Sequence, residues 1–380
     1  MTTRLFHLFS VFFLWLAIQA QAAPLPVPSP PDVGARAWIL MDFHSGRVLA
    51  EKNADEPLEP ASLTKLMTAY VIFQELREGT LGLDDTVTIS EKAWRMEGSR
   101  MFVEVGSKVK VRDLIRGMIV QSGNDATVAL AEHVAGSEDT FAEYMNRFAQ
   151  KLGMSHSHFV NSTGMPDPNH YVTARDVALL AAALIRDFPE YYKWYSEKTF
   201  TWNGITQHNR NRLLWQDPSV DGLKTGHTEK AGYCLVTSAQ RNGMRLISVV
   251  MGARSDKHRT QASQALLNYG FRFFETHKLY DAEQKLADTR VWKGLMEKVP
   301  VGPAHAVHVT IPRGRYKDLE ARMRLHPRLM APVASGQKVG RIEIDLDGDT
   351  IQEIPLVALE DVPEGGLWQR MKDEILLYFE

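Results

Sequence analysis

Cysteine is almost absent from this chain of 380 residues, whose only thiol is that of Cys234. An internal disulfide is therefore impossible, and the folded state must be stabilised by its core. Cys234 stands within the strand-like run GYCLVTSA, with no histidine signature near it. We interpret it as a buried small residue rather than as a nucleophile.

An excess of charge of either sign is also missing. The 44 Lys and Arg residues nearly cancel the 46 Asp and Glu residues, so the net charge is −2 at pH 7. This balance gives no electrostatic basis for a nucleic-acid partner. The sequence contains no internal repeat, no phosphate-binding loop and no GxGxxG motif. We therefore predict no cofactor, no bound metal and no nucleic-acid partner.

Long apolar runs are missing except at the N-terminus, and that run is short for a membrane span. One Arg precedes the apolar residues 5–18, and Ala20-Gln21-Ala22 follows them. This layout predicts a signal peptide over residues 1–22, cleaved after Ala22, and hence an exported protein. An uncleaved membrane anchor is the alternative. The Pro-rich residues 23–34 are typical of a semi-rigid linker.

Strand patterns at both ends of a helical middle indicate one domain over residues 35–280. The run ARAWILMDFHSGRVLAE predicts a hairpin, and residues 111–187 are mainly helical in pattern. Residues 220–253 read as three strands, with Asn242-Gly243 as a hairpin turn, and TQASQALLNYGFRFFE reads as a final amphipathic helix. We expect an α+β fold in which helices pack on one antiparallel sheet.

The pattern changes after about Tyr280. Residues 281–363 alternate like strands and contain turn signals such as Asp347-Gly348, which predicts a small all-β C-terminal domain without a catalytic cluster.

Residues 364–380 form a short amphipathic tail after a Gly-Gly break. Trp368, Met371, Ile375 and Phe379 fall on one helical face. At about 1.5 Å per residue the tail is too short to span a bilayer, but it could lie in the membrane surface. Its acidic residues outnumber its basic ones. A helix folded back on the β domain or used in self-association is the alternative.

Ser-x-x-Lys occurs three times in the sequence, and its context separates the copies. Ser62 and Lys65 stand at the head of the helical run PASLTKLMTAY, where positions i and i+3 share a face. Ser107 and Ser335 lie in strand-like or turn-like contexts, where i and i+3 point to opposite faces. Only Ser62 and Lys65 are expected to meet.

Two further motifs each occur once. Ser122-Gly123-Asn124 falls at a predicted break between two helices, and Lys224-Thr225-Gly226 lies on a predicted strand. Ser-x-x-Lys, Ser-x-Asn and Lys-Thr-Gly, in this order, form the motif set of penicillin-binding proteins and serine β-lactamases.

These residues suit acyl transfer. Ser62 needs a base, and Lys65 can serve if burial and a nearby cation such as Lys224 keep it neutral near pH 7. Ser122 could pass a proton to the leaving nitrogen, and Asn124 could orient Lys65 and the substrate.

The Lys-Thr-Gly strand suits peptide binding. Gly226 leaves room for an extended substrate to add as a strand, and Lys224 and Thr225 then face its carboxylate. The backbone N–H groups of Ser62 and His227 are the plausible oxyanion hole.

The chain resembles the D-alanyl-D-alanine carboxypeptidases, the low-molecular-mass penicillin-binding proteins of the bacterial cell envelope. Besides the three motifs, the runs DGLKTGHTEKAGY, LIRGMIVQSGNDA, GFRFFET, TIPRGR and PLVAL are similar to the branch that has a C-terminal β domain. The resemblance implies a penicillin-recognising α/β (α+β) domain with a five-stranded antiparallel sheet, and a sandwich-like β domain. It also implies that Arg259 and Arg210 contact the substrate.

The same resemblance implies removal of the terminal D-Ala from peptidoglycan stem pentapeptides, with a role in peptidoglycan maturation and cell shape. It implies covalent inhibition by β-lactams and attachment of the C-terminal helix to the periplasmic face of the inner membrane. A serine β-lactamase is the rival enzyme, although the chain lacks a Glu-x-x-Leu-Asn run. A non-catalytic envelope-binding protein is the rival from another class.

Overall fold

The computed structural model describes residues 27–379. The predicted signal peptide, its cleavage site and residues 23–26 of the predicted linker lie outside the described residues. The rest of that linker is not a free spacer, because it packs on the last helix of the first domain. Tyr269 Oη donates to Pro28 O at 3.0 Å, and His258 Nε2 lies 2.7 Å from Val33 O.

The first domain is built around one five-stranded sheet in the order β2-β1-β9-β8-β7, as the resemblance implies. All its pairings are antiparallel. Two short hairpins, β3–β4 and β5–β6, lie apart from this sheet. The strands are β1 (Ala37–Asp42), β2 (Val48–Lys52), β3 (Thr86–Thr88), β4 (Lys108–Lys110), β5 (Thr199–Trp202), β6 (Ile205–His208), β7 (Val220–Thr228), β8 (Gly232–Arg241) and β9 (Met244–Ala253).

Helices fill the sequence between β2 and β7 and follow β9. They are α1 (Lys65–Glu78), α2 (Glu91–Trp94), α3 (Val111–Val120), α4 (Asn124–Ala135), α5 (Glu138–Lys151), α6 (Ala174–Asp187), α7 (Pro189–Tyr192), α8 (Leu213–Gln216) and α9 (Asp256–Phe273). Several begin where the sequence supplies a cap: the Ser137, Thr173 and Ser255 side chains accept from the first turns of α5, α6 and α9.

The sheet is covered on both faces, which explains why β1 is apolar along nearly its whole length. Ile39 and Met41 face the core formed with α1, α4 and α6, whereas Trp38 and Leu40 face α9. Strand β7 forms one edge of the sheet and β2 forms the other. The β7 edge carries the Lys-Thr-Gly motif, and an unpaired strand edge is a place where an extended peptide can bind.

The second domain is all-β, as predicted, and ends in a helix. Its strands are β10 (Phe274–Tyr280), β11 (Ala287–Trp292), β12 (Lys298–Pro303), β13 (Val307–Pro312), β14 (Leu319–Leu325), β15 (Leu329–Met330), β16 (Lys338–Leu346) and β17 (Asp349–Ala358). Six of them form a sheet in the order β14-β16-β17-β12-β11-β15, and β10 pairs with β13. Helix α10 (Leu367–Tyr378) follows.

The boundary predicted at residues 280 and 281 needs a correction. Strand β10 was assigned to the first domain, but it pairs with β13 and shares no ladder with the five-stranded sheet. The sequence obscured this boundary because α9 runs into β10 without a linker. The two domains also touch through side chains: Thr276 Oγ1 donates to Asp42 Oδ2 at 2.7 Å, and Arg47 donates to Thr310 O at 2.5 Å.

Within residues 27–379, no helix is both long enough and apolar enough to cross a bilayer.

Cys234 is fully buried in β8, and burial raises the pKa of its thiol to about 11.

Candidate active site

Ser62 lies in a tight 3-10 turn (Ala61–Thr64) that leads directly into α1. The turn brings Lys65 Nζ to 3.2 Å from Ser62 Oγ. The other two Ser-x-x-Lys copies make no such pair: Ser107 Oγ donates to Glu104 O, and Ser335 Oγ donates to Leu359 O. The helical context therefore separated the three copies correctly.

The side chain of Lys65 is buried and hydrogen-bonded. Only 1% of the residue is exposed, and its ammonium donates to Asn124 Oδ1 at 2.7 Å and to Thr163 O at 2.8 Å. Burial, helped by the positive charge of Arg210, lowers the pKa of Lys65 to about 7. A lysine with such a pKa can accept a proton near neutral pH.

The second and third motifs meet at Ser122 and Lys224. Ser122 lies in the short loop between α3 and α4 and has a positive φ of 70°, a strained conformation for a residue with a side chain. Lys224 Nζ donates to Ser122 Oγ and to Thr225 O, both at 2.9 Å. Burial, followed by the charges of Lys65 and Arg210, lowers the pKa of Lys224 well below its usual value.

We predicted Lys224 as the cation that helps to keep Lys65 neutral. Arg210 adds a further positive charge that lowers the pKa of Lys65. Arg210 reaches the site from the exposed segment after β6, which no local pattern connects with the Ser-x-x-Lys helix. The charge of Lys65 lowers the pKa of Lys224, as expected, because two nearby positive charges disfavour each other.

Gly226 allows a close approach of β7 to the nucleophile turn. A Cβ at this position would lie 3.0 Å from Pro60 O and 3.2 Å from the backbone nitrogen of Ser62. The missing side chain thus lets the edge strand pack against the turn, in addition to the room for substrate that the sequence suggested. Next to it, the exposed His227 ring packs against Tyr233, with ring centroids 4.0 Å apart.

Arg259 is buried behind the Lys-Thr-Gly strand. Its guanidinium donates to Gly226 O at 2.9 Å and to Cys234 O at 3.2 Å, and it pairs with Asp256 at 2.6 Å. These contacts tie α9 to β7 and β8. A direct contact between Arg259 and a substrate carboxylate stays a prediction.

A buried carboxylate that sequence reasoning missed holds the loop beside Ser122. Asp125 accepts from the backbone N–H groups of Met101, Phe102 and Val103 at 2.8, 2.7 and 3.2 Å. Asn124 extends the same link, because its Nδ2 donates to Glu97 O at 2.6 Å. The only signal in the sequence was the acidic residue directly after Ser-x-Asn.

The loop between α5 and α6 also contributes to the site, and the sequence did not predict this contribution. Thr163 O accepts from Lys65, and Ser162 donates to the buried Glu138, which pairs with Lys92 at 2.8 Å. His170 Nε2 lies 2.9 Å from Thr64 Oγ1, which donates to Ala61 O. Burial lowers the pKa of His170 to about 4, so this ring is neutral at physiological pH.

Among residues 27–379, no group of three or more His, Cys, Asp or Glu side chains is arranged to hold a metal ion. The site contains instead a serine beside a buried lysine of low pKa, a second hydroxyl beside a second lysine, and an open strand edge. An α+β fold with this arrangement defines a serine acyl-transfer enzyme of the penicillin-recognising class.

Comparison with known proteins gives the family. Residues 25–255 match the model of the D-alanyl-D-alanine carboxypeptidase family, and residues 274–364 match that of the penicillin-binding protein 5 C-terminal domain. The D-alanyl-D-alanine carboxypeptidase DacC of Escherichia coli is 48% identical over 378 residues, covering 97% of this chain and 94% of that protein. The chain belongs to the D-alanyl-D-alanine carboxypeptidase family of penicillin-binding proteins.

Solved structures agree with this assignment. Penicillin-binding protein 5 of Haemophilus influenzae superposes with a TM-score of 0.85 at 46% identity, covering 89% of this chain and 100% of that one. Penicillin-binding protein D2 of Listeria monocytogenes, in its ampicillin-bound form, superposes with a TM-score of 0.58 at 33% identity, covering 62% of this chain and 97% of that one.

Proposed function

We propose that this enzyme is a serine-type D-Ala-D-Ala carboxypeptidase, which removes the terminal D-alanine from peptidoglycan stem pentapeptides through an acyl-enzyme on Ser62. The observation that carries the proposal is the contact of 3.2 Å between Ser62 Oγ and a buried Lys65 whose pKa is about 7. Family membership supports the substrate, and an exported location would give access to it.

Acylation follows from the positions of four groups. Neutral Lys65 takes the proton of Ser62, and Oγ attacks the carbonyl carbon of the D-Ala-D-Ala bond. The developing oxyanion is stabilised by the backbone N–H groups of Ser62 and His227. Ser122 gives its proton to the leaving nitrogen and recovers the proton that Lys65 took from Ser62, so that Lys65 is neutral again. Lys224, which donates to Ser122 Oγ at 2.9 Å, holds this hydroxyl in place. Free D-alanine departs and leaves an ester on Ser62.

Binding of the substrate uses the edge of the sheet. The peptide adds alongside β7, whose outer edge has no partner strand in the five-stranded sheet. Lys224, Thr225 and Arg210 hold the terminal carboxylate, and Arg259 supports it from behind the strand. Asn124 fixes Lys65 through the bond of 2.7 Å and offers its amide to the substrate.

A direct test measures both halves of this chemistry. We expect release of D-alanine from an acylated peptide ending in D-Ala-D-Ala, no release from the matched peptide ending in D-Ala-L-Ala, and covalent labelling by a fluorescent penicillin. A non-catalytic envelope-binding protein would show neither the release nor the label.

The rate of acylation should depend on pH through Lys65. Only neutral Lys65 can accept the proton, so the second-order rate constant for penicillin should rise with pH and level off above about pH 7, the value to which the pKa of Lys65 is lowered. Below that value it should fall about tenfold per pH unit. Stopped-flow acylation between pH 5 and 9 measures this curve.

Arg210→Gln provides the matched comparison for that curve. The substitution removes a positive charge that lowers the pKa of Lys65, so the midpoint should move to higher pH. A midpoint that stays in place or moves to lower pH would contradict the role of Arg210. A flat profile in the unsubstituted enzyme would contradict Lys65 as the base.

We further propose that the protein is exported with cleavage after Ala22 and binds the periplasmic face of the inner membrane through α10. Helix α10 supports this because its apolar side chains are open to solvent. Trp368, Met371, Ile375 and Phe379 are 85%, 57%, 61% and 81% exposed. An apolar face of this size is unusual on a soluble surface and suits the interface of a bilayer.

Of the acidic residues of α10, Asp373 is turned toward the β domain, which weakens the objection that the tail is too acidic. Asp373 is buried, and its Oδ2 accepts from the backbone N–H of Lys293 at 2.6 Å. Glu374 pairs with the Lys293 side chain. These contacts hold the helix with its apolar face pointing away from the domain. This orientation supports membrane binding and does not support packing of the apolar face on the β domain.

Removal of residues 367–380 should abolish flotation of the mature protein with vesicles containing anionic lipid. A sharper variant replaces Trp368, Met371, Ile375 and Phe379 by Ser, because it keeps the Asp373 contact and removes only apolar area. We expect both to stay in the soluble fraction while penicillin labelling is unchanged. Equal flotation of all three proteins would remove this proposal.

A further inference from the structure

The nucleophile turn contains a strained residue directly before Ser62. Ala61 has a φ of 47°, in the left-handed region that a residue with a side chain adopts only when its surroundings impose it. The peptide bond between Ala61 and Ser62 is trans, so its C=O and its N–H point in opposite directions. This N–H is one of the two proposed oxyanion donors. The orientation of the Ala61 carbonyl therefore decides where the donor points.

The same peptide unit is packed between two glycines. On one side, a Cβ on Gly226 of β7 would lie 3.2 Å from the backbone nitrogen of Ser62. On the other side, a Cβ on Gly164 would lie 1.8 Å from Ala61 O. The nitrogen is thus next to the substrate-binding strand, and the carbonyl oxygen lies against the loop between α5 and α6.

A chain of hydrogen bonds reaches Ala61 O from that loop, and its direction can be assigned. The backbone N–H of Val160 can only donate, and it lies 3.2 Å from His170 Nδ1, so Nδ1 is an acceptor. The proton of the neutral ring is then on Nε2, which donates to Thr64 Oγ1 at 2.9 Å. Thr64 Oγ1 in turn donates to Ala61 O at 2.9 Å. Every bond in the chain is directed towards the Ala61 carbonyl.

The surroundings of His170 keep the ring in this state and in this place. The residue is 2% exposed, and burial lowers its pKa to about 4, so Nδ1 remains an acceptor at neutral pH. Two short β-bridges follow the ring along the chain: Tyr171 pairs with His158, and Val172 pairs with Leu58, which leads into the nucleophile turn. The ring is therefore held at a fixed position relative to Ser62.

We propose that His170 and Thr64 are positioning residues for the oxyanion hole. Together they fix the Ala61 carbonyl and thereby direct the Ser62 N–H at the developing oxyanion. This inference rests on the proposed carboxypeptidase function. In this role neither residue contacts the reacting atoms, and neither gains or loses a proton. Without the chain the strained peptide can rotate, so that Ser62 keeps its base but loses a preorganised donor.

Thr64→Val tests the proposal because it removes the hydroxyl and keeps the shape of the side chain. The ester carbonyl of a penicilloyl adduct on Ser62 occupies the oxyanion hole, where hydrogen bonds lower its stretching frequency. We expect infrared spectra, taken with benzylpenicillin that is isotope-labelled at its β-lactam carbonyl, to show this band at higher frequency in Thr64→Val. The plateau of the acylation rate should fall about tenfold to a hundredfold, since a preorganised donor can contribute this much. The pH midpoint, which depends on Lys65, should stay in place.

Conservative substitutions should restore the effect. Thr64→Ser keeps the hydroxyl, and in His170→Gln the side-chain amide can donate in place of Nε2. Both should keep the band and the plateau close to those of the unsubstituted enzyme. His170→Leu removes the donor and should resemble Thr64→Val, so it tests the chain from its other end if Thr64→Val does not fold.

Thr68→Val is the matched control. Thr68 is also buried, one turn further along α1, and its Oγ1 donates to Ser162 O of the same loop at 2.6 Å. The control should lower the melting temperature as Thr64→Val does, but leave the ester band in place. A band that does not move in Thr64→Val, or moves equally in Thr68→Val, would overturn the positioning role alone. Absence of an adduct and of D-Ala release in the unsubstituted protein would overturn the carboxypeptidase function as well.

Discussion

Ser62→Ala should abolish both D-Ala release and penicillin labelling while leaving the melting temperature within about 2 °C of the unsubstituted protein. The fold should tolerate the change because the Ser62 hydroxyl contacts Lys65 alone among the described hydrogen bonds. Lys65 keeps its two stronger acceptors, Asn124 Oδ1 and Thr163 O, so its buried ammonium does not lose its partners. Fluorescent-penicillin gels and differential scanning calorimetry measure the two effects.

Ser107→Ala is the matched control for this substitution. Ser107 also belongs to a Ser-x-x-Lys run, but its Lys110 pairs with Asp84 at 3.0 Å on the surface. Activity and labelling of Ser107→Ala should equal those of the unsubstituted enzyme. Labelling that survives in Ser62→Ala, or that maps by mass spectrometry to Ser107 or Ser335, would show that the nucleophile is misassigned.

The second large effect is a penicilloyl adduct on Ser62 that persists for minutes or longer, while D-Ala is released steadily from a peptide substrate. After acylation by a peptide, D-alanine leaves and water can approach by the route it vacated. An opened β-lactam ring stays tethered and fills that route. A thousandfold slower deacylation corresponds to only about 4 kcal/mol, within reach of a misplaced water.

The carboxylates near the site support this difference. Of the two whose charges act on Lys65, Asp125 is occupied by backbone N–H groups, and Glu138 by Ser162 and Lys92. Neither is free to activate a water molecule from the face opposite the trapped ring, as a β-lactamase requires. Intact-mass spectra at intervals after mixing with benzylpenicillin measure the lifetime. Loss of the adduct within seconds, with repeated turnover of the antibiotic, would favour the β-lactamase alternative.

The parts of the fold that the sequence predicted are those with strong local patterns. The hairpin β1–β2, the three strands from Val220 to Ala253 and the final helix α9 were predicted, because each has a clear period and a turn or cap signal. The three motifs were placed on the correct elements for the same reason. That the three motifs meet in one site could be inferred only because their order matches a known motif set. Their spacing in the sequence does not by itself predict contacts between Lys65, Asn124 and Lys224.

The parts that the sequence did not predict depend on contacts between distant segments. Thr163 and His170 come from the loop between α5 and α6, which approaches the nucleophile turn at Gly164. This glycine has a φ of 85°, and a Cβ on it would lie 1.8 Å from Ala61 O. Nothing periodic marks such a close approach. The same holds for Asp373, which counts as an acidic surface residue in the sequence but is buried against Lys293.

The burial of Cys234 has a practical consequence. A thiol that is inaccessible and held in its protonated form does not react with maleimides or oxidise between copies of the chain in an oxidising compartment. Thiol reagents therefore do not label the native protein. A single cysteine introduced at an exposed position such as Leu295, whose backbone N–H donates to Pro363 O close to α10, would be the only labelled site. A fluorophore or spin label there reports on the surroundings of that helix with no background to subtract.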